Sequence, residues 1–316
     1  MSHILIYEDI RHGRSLSPTV FTIGNRGAFT SNLGVGYRRS FHSRIPSPSS
    51  WFRNRQFHTA FSHFKRSYWQ RPGLAGRFQR IQWDSLAKPA IFSGAFLLAA
   101  PPILDFTINK STWLKRNPQA IVYAIIGLNT GVFFAWQLPR FSLILRKYGL
   151  LVNDRFSSVW SIIGSGFSHQ NFTHLFFNMF CLQSFGSTLA VVLGPAGFLT
   201  AYLGSIVASS FTSLAFRTIA RQGVSGSLGA SGGIFGLLGV FSYLFPNASV
   251  AFFFLPIPGG AWYAFLGSIV LNAAGFFTKI HFDYAAHIGG SLIGIYYGWK
   301  AKKDIAKRRR QRSIYF

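Results

Sequence analysis

Residues 229–246 read GASGGIFGLLGVFSYLFP. The stretch carries no charge, and a serine among glycines opens a run that is otherwise aliphatic and aromatic. Six further stretches share its apolar character: 89–106, 120–138, 172–192, 195–216, 260–277 and 283–299. A membrane-spanning helix needs about 20 mostly apolar residues, within a range of about 17–25. Inside lipid every backbone N–H and C=O must pair within its own segment, so these stretches read as helices despite their β-branched residues. Seven such segments predict an all-α polytopic membrane protein. The first reads as short and broken by Pro101 and Pro102. Residues 139–171, between the second and third spans, are amphipathic and fit the membrane interface.

The composition agrees. Charged residues make up 12% of the 316 residues and hydrophobic ones 49%, where a soluble chain is typically about 25% charged. Lys and Arg number 32 against 7 Asp and Glu, a net +25. Such a charge suits nucleic acid or an anionic membrane; the apolar spans assign it to the bilayer, and no nucleic-acid partner is expected. The charge gathers in the tails. Residues 10–83 hold 13 Lys or Arg and no acid, and are rich in Ser and Phe, the profile of an organellar transit segment. Residues 1–80 therefore read as a mitochondrial leader, the alternative being a disordered basic tail that binds RNA or lipid; Glu8 and Asp9 are unusual in a leader. Residues 301–316 form a second basic tail. A single cysteine, Cys181, excludes an internal disulfide and any multi-cysteine metal site.

Polar residues inside spans are costly and point to function. Ser231 in Gly229-Ala230-Ser231-Gly232 has the small neighbours that leave a hydroxyl accessible, though small residues at a helix start are also packing devices. His287 lies inside the seventh span. Alone it reads as a hydrogen-bonded packing residue; with a serine on another span it can act as the base that serine requires. Glycines 290, 294 and 298 form a small-residue stripe beside it, and Gly232 and Gly236 form another on the serine span, so the two helices can approach closely. His174 and Asn178, at i and i+4 in HLFFN (174–178), share a helix face. They read as interhelical hydrogen-bonding residues or as donors to an oxyanion. Asp283 reads as a helix cap or, less simply, as the group orienting His287.

Three motifs in order, HLFFN (174–178), GASG (229–232) and AHIGG (286–290) followed by Gly294, resemble the rhomboid intramembrane serine proteases. The resemblance covers 118–300 and implies a six-helix core. It implies Ser231 as nucleophile, His287 as base, and His174, Asn178 and the Ser231 N–H as the oxyanion site, with Gly229, Gly232, Gly290 and Gly294 packing the helices around it. No cofactor or metal is implied. The extra span at 89–106 and the basic leader resemble the mitochondrial, presenilin-associated branch. That branch implies a multi-pass inner-membrane protein (1+6 helices) cleaving single-span membrane proteins, such as a dynamin-like fusion GTPase. One position departs. Rhomboids often carry Trp-Arg in the loop before the HxxxN helix; here Trp160 is followed by Ser161.

The nearest rival is an inactive rhomboid-like protein that binds transmembrane clients. Such relatives lose the serine or the histidine, and both are present here. An inverted-repeat transporter lacks a visible repeat. There is no His-Glu-x-x-His for the zinc class of intramembrane proteases, and no pair of span-embedded aspartates for the aspartyl class.

Overall fold

The computed structural model describes residues 83–154, 157–252, 255–277 and 283–314. The leader, 1–80, lies outside the described residues. The described part is mostly helical: α1 (Asp84–Ile108), α2 (Thr112–Arg116), α3 (Ala120–Trp136), α4 (Ser142–Tyr148), α5 (Ser161–Gly164), α6 (Phe172–Ile219), α7 (Ser231–Leu244), α8 (Ala261–Gly275) and α9 (Tyr284–Ile314). Each apolar stretch falls on a helix.

The boundaries differ in three places. Helix α1 runs unbroken through Pro89, Pro101 and Pro102. Each proline removes one backbone hydrogen bond without forcing the helix to end, a defect spanning helices commonly tolerate. The third and fourth stretches belong to one 48-residue element, α6, interrupted at Gly194, which takes non-helical φ 72° and ψ 165° ahead of Pro195. The two arms fold back on each other: the vacant side-chain position of Gly186 lies 3.6 Å from the Phe198 ring, whereas twelve residues of continuous helix would separate them by about 18 Å. The seventh stretch does not end at Trp299, because α9 continues through the basic tail to Ile314.

Among the described residues, two helices are long and apolar enough to cross a membrane, Ser85–Ile108 and Phe172–Ile219, or three if α3 and the segment Pro139–Tyr148, bent from it by 104°, count as one. Helices α7 and α8 are apolar but shorter; fourteen residues of α7 extend about 21 Å.

Helix α7 is the centre of the packing. Gly232 and Gly236 face Ser209 and Ser205 on the second arm of α6, and Gly233 faces Tyr202 and Ile206. On its other side α7 meets α9. A Cβ on Gly290 would fall on the Gly232 carbonyl oxygen, and one on Gly294 on the Gly236 carbonyl oxygen. A Cβ on Gly298 would meet the Tyr243 side chain and the Val240 Cα. The core around this sandwich holds fully buried Leu182, Phe198, Tyr202, Leu237 and Val240, with Val122 and Ile125 of α3. A smaller core, Leu86, Leu151, Ile162, Val207 and Leu214 with Phe92 and Phe96, packs α1 against α5 and the second arm of α6.

Two small antiparallel ladders supplement the expected all-α fold: β1 (Leu151–Val152) with β2 (Gly226–Ser227), and β3 (Val250–Phe252) with β4 (Leu255–Ile257). Strands this short leave no readable alternation in sequence. The first ladder matters for the site, because β2 leads into the Ser231 turn.

Candidate active site

The turn before α7 is tied down at several points. Asn153 receives the Ser225 N–H at its Oδ1 (2.7 Å) and donates to the Gln222 and Gly223 carbonyls. The Gly229 N–H donates to the Ser165 carbonyl at 2.9 Å. The Ala230 N–H meets His169 Nε2 at 3.4 Å. Gly229 has φ 136°, open to glycine but strained for other residues. Its missing side chain also makes room for the His174 ring, which lies where a Cβ would be. Gly229 is thus a turn residue set against His174, while Gly232, Gly290 and Gly294 lie between helices.

Ser231 opens α7. Amides in the first turn of a helix have no carbonyl one turn earlier to bind, so the Ser231 N–H has no partner within the helix. The Ser231 Oγ lies 2.8 Å from His287 Nε2, joining residues 56 positions apart. His287 sits one turn into α9. Its Nδ1 lies 2.7 Å from Asn272 Oδ1 on α8, and its ring stacks on Phe235 with centroids 4.3 Å apart.

His174 is placed by the cap of α6, where the Asn171 side chain accepts the His174 N–H at 3.1 Å. Its ring also packs edge-on against His169, centroids 5.0 Å apart. Asn178 is buried, and its Nδ2 donates to the His174 carbonyl at 2.8 Å. That amide carries a second N–H. His169 is fully buried, and burial together with His174 pushes its pKa down to about 3, so the ring is neutral and Nε2 can accept from Ala230.

The Asp283 carboxylate makes its hydrogen bonds to groups other than the imidazole. It accepts the Ala286 N–H at 3.1 Å, capping α9, and receives Ser213 Oγ at 2.5 Å. It also pairs with Arg217 on the second arm of α6 at 2.6 Å. The atom facing Nδ1 belongs to Asn272. Sequence reasoning missed four participants: Asn272, Phe235, Arg217 and the contact made by His169. Phe235 was accessible in principle, since it lies four residues after Ser231 on the same helix face.

The family comparison decides the identity: residues 157–303 match the rhomboid domain, a range that takes in Ser231, His287, His174, Asn178 and Asn272. The chain belongs to the rhomboid family. It is similar to Rhomboid protein 1, mitochondrial, of Saccharomyces cerevisiae, 50% identical over 213 residues, which cover 67% of this chain and 62% of that protein. It is 29% identical over 282 residues to Presenilin-associated rhomboid-like protein A, mitochondrial, of Danio rerio, covering 89% and 69%. It is 32% identical over 216 residues to Presenilin-associated rhomboid-like protein, mitochondrial, of Homo sapiens, covering 64% and 56%. The chain thus spans under two thirds of the yeast and human relatives.

The rhomboid loop that departs at Ser161 also has a local account. Ser161 is 1% exposed and donates to the Ser158 carbonyl at 2.6 Å. A guanidinium there would be buried away from water, at high cost. Trp160 stays exposed and sets its edge on Phe92 of α1, centroids 5.3 Å apart. The loop is anchored to the helix that precedes the rhomboid domain.

Proposed function

We propose that this rhomboid is an intramembrane serine protease of the mitochondrial inner membrane that cuts membrane-embedded substrates through a Ser231–His287 dyad. The observation that carries the proposal is the 2.8 Å contact between Ser231 Oγ and His287 Nε2, within the range a nucleophile and its base require. Ser231 Oγ attacks the peptide carbonyl carbon as its proton passes to His287 Nε2. The oxyanion is received by the Ser231 N–H, the second Asn178 N–H and the His174 ring. His287 then returns the proton to the leaving amine nitrogen, leaving an acyl-enzyme. Water, deprotonated by the same imidazole, releases the acid and restores the serine.

The substrates are single-span membrane proteins, a dynamin-like fusion GTPase among them. The seven apolar stretches cross as one helix plus six: α1, α3, the two arms of α6, α7, α8 and the apolar first part of α9. Helix α7 is enclosed between α6 and α9, so it need not match the full lipid thickness. The basic leader and the mitochondrial relatives support the organelle. A client-binding relative that does not cut would lack Ser231 or His287; this chain has both. The test is cleavage of a single-span substrate co-reconstituted in liposomes. Native protein should cleave, and Ser231→Ala and His287→Ala should not; cleavage by Ser231→Ala would remove the serine mechanism.

A further inference from the structure

Building on the dyad reading above, we infer that Asn272 on α8 is a positioning residue for His287, fixing which imidazole nitrogen carries the proton. Asn272 is 7% exposed, and its Oδ1 lies 2.7 Å from His287 Nδ1. Its Nδ2 donates to the Ser268 carbonyl one turn earlier at 2.8 Å. That second bond determines which way the amide points. Rotated by 180°, the amide would set its oxygen against the Ser268 carbonyl, two acceptors with no proton between them. With Oδ1 facing the histidine, the atom opposite Nδ1 can only accept, so Nδ1 carries the hydrogen. The neutral ring then has a bare Nε2, the atom 2.8 Å from the Ser231 hydroxyl. This is the tautomer a general base needs. The opposite tautomer would present an N–H to Ser231 and leave no acceptor for its proton.

Asn272 also limits rotation of the ring. Phe235 covers one face of the imidazole, Ser231 meets one nitrogen and Asn272 the other. The three contacts come from two helices, α7 and α8, while the histidine rides on a third. Asn272 does this without a charge, which suits an interior where a lone carboxylate would be costly. The acid that acts on the ring, Asp283, caps the histidine's own helix and is engaged by Arg217 and Ser213. His174, from the first arm of α6, is the other titratable group close enough to act on the ring. The α7 and α8 contacts, Ser231, Phe235 and Asn272, carry no charge. The orienting contact also makes the seat of α8 part of the catalytic geometry. Helix α8 buries only Ala261, Phe265, Asn272 and Gly275, so a displacement of this lightly held helix would release the histidine.

The test uses full-length protein in liposomes, with turnover and fluorophosphonate labelling measured from pH 5 to 9 for native protein, Asn272→Ala, Asn272→Asp and Ser231→Ala. Asn272→Ala should lose about 10²-fold in turnover, the scale set by a misplacement of about 1 Å, with KM little changed and labelling slowed in parallel. Asn272→Asp, close in shape, keeps an acceptor at Nδ1 and adds a charge that favours the imidazolium. It should regain activity over Asn272→Ala and move the acidic limb of the pH profile to higher pH. A merely structural asparagine would leave that limb in place and would tolerate the buried charge worse than alanine. If Asn272→Ala does not fold, the position of the limb in Asn272→Asp decides. Native turnover in folded Asn272→Ala, or an unmoved limb in Asn272→Asp, overturns the role of Asn272 alone. Cleavage by Ser231→Ala overturns the dyad beneath it.

Discussion

Replacing Gly290 by alanine adds one methyl group where the helices of Ser231 and His287 meet backbone to backbone. The new Cβ would land on the Gly232 carbonyl oxygen, 2.9 Å from its carbon and 3.3 Å from its Cα. These are backbone atoms and cannot rotate aside as a side chain could. Restoring ordinary carbon–oxygen contact requires α7 and α9 to part by on the order of 1 Å, in an interior packed as densely as a molecular crystal. Ser231 lies one residue before Gly232, and His287 one turn before Gly290. The separation therefore carries their 2.8 Å contact to about 3.8 Å, past the roughly 3.2 Å limit for direct proton transfer. A displacement of this size costs about 10²-fold in rate, or about 2.7 kcal/mol of barrier. Overpacking adds about 1–3 kcal/mol of destabilisation. Gly267→Ala on α8 is the matched control, because nothing lies within 4 Å of its added Cβ. The assay is cleavage of a single-span substrate in liposomes, with thermal unfolding measured on the same preparations. Gly290→Ala should be inserted, less stable and about 100-fold slower, and Gly267→Ala should match native protein. Native turnover in a folded Gly290→Ala protein would refute the claim that helix contact sets the dyad distance.

Three other outcomes follow from the same reasoning. Asn178→Ala should cut turnover by about 10²–10³-fold, the usual loss for one oxyanion donor, without abolishing it, since the Ser231 N–H and His174 remain; unchanged turnover at equal expression removes the donor role. Asp283→Ala strands Arg217, whose side chain is 8% exposed, and should cost about 3–5 kcal/mol in unfolding; Asp283→Asn keeps the cap and should retain substantial activity, whereas its inactivation in a folded protein would show that the carboxylate acts in the chemistry. Residues 1–80 fused to a soluble reporter should carry it to mitochondria, and a cytosolic reporter would count against the leader.

The candidate site was legible in the sequence because Ser231, His287, His174 and Asn178 each interrupt an apolar run, where a polar side chain stands out. The glycine stripes were legible for a related reason: spacing of four keeps small residues on one helix face. Asn272 was not. It lies within a span like the others, but its partner is on a separate helix and no spacing links the two. Arg217 falls where a span would end, and no spacing links it to Asp283, 66 positions away; only the fold brings them together. Pro101 and Pro102 suggest a break in the sequence, yet α1 runs through them, because a lost backbone bond at a proline does not by itself end a helix. The paired strands β1 and β2 hold two residues each, too few to show a period, yet they help set the turn that presents Ser231.

The central claim is that Ser231 is a nucleophile activated by His287. The direct measurement is fluorophosphonate labelling of purified, liposome-reconstituted protein, with the modified residue located by mass spectrometry. Native protein should acquire one adduct, on Ser231; His287→Ala should label far more slowly, and Ser231→Ala should not label. An adduct on another residue, or labelling of His287→Ala at the native rate, would contradict the account.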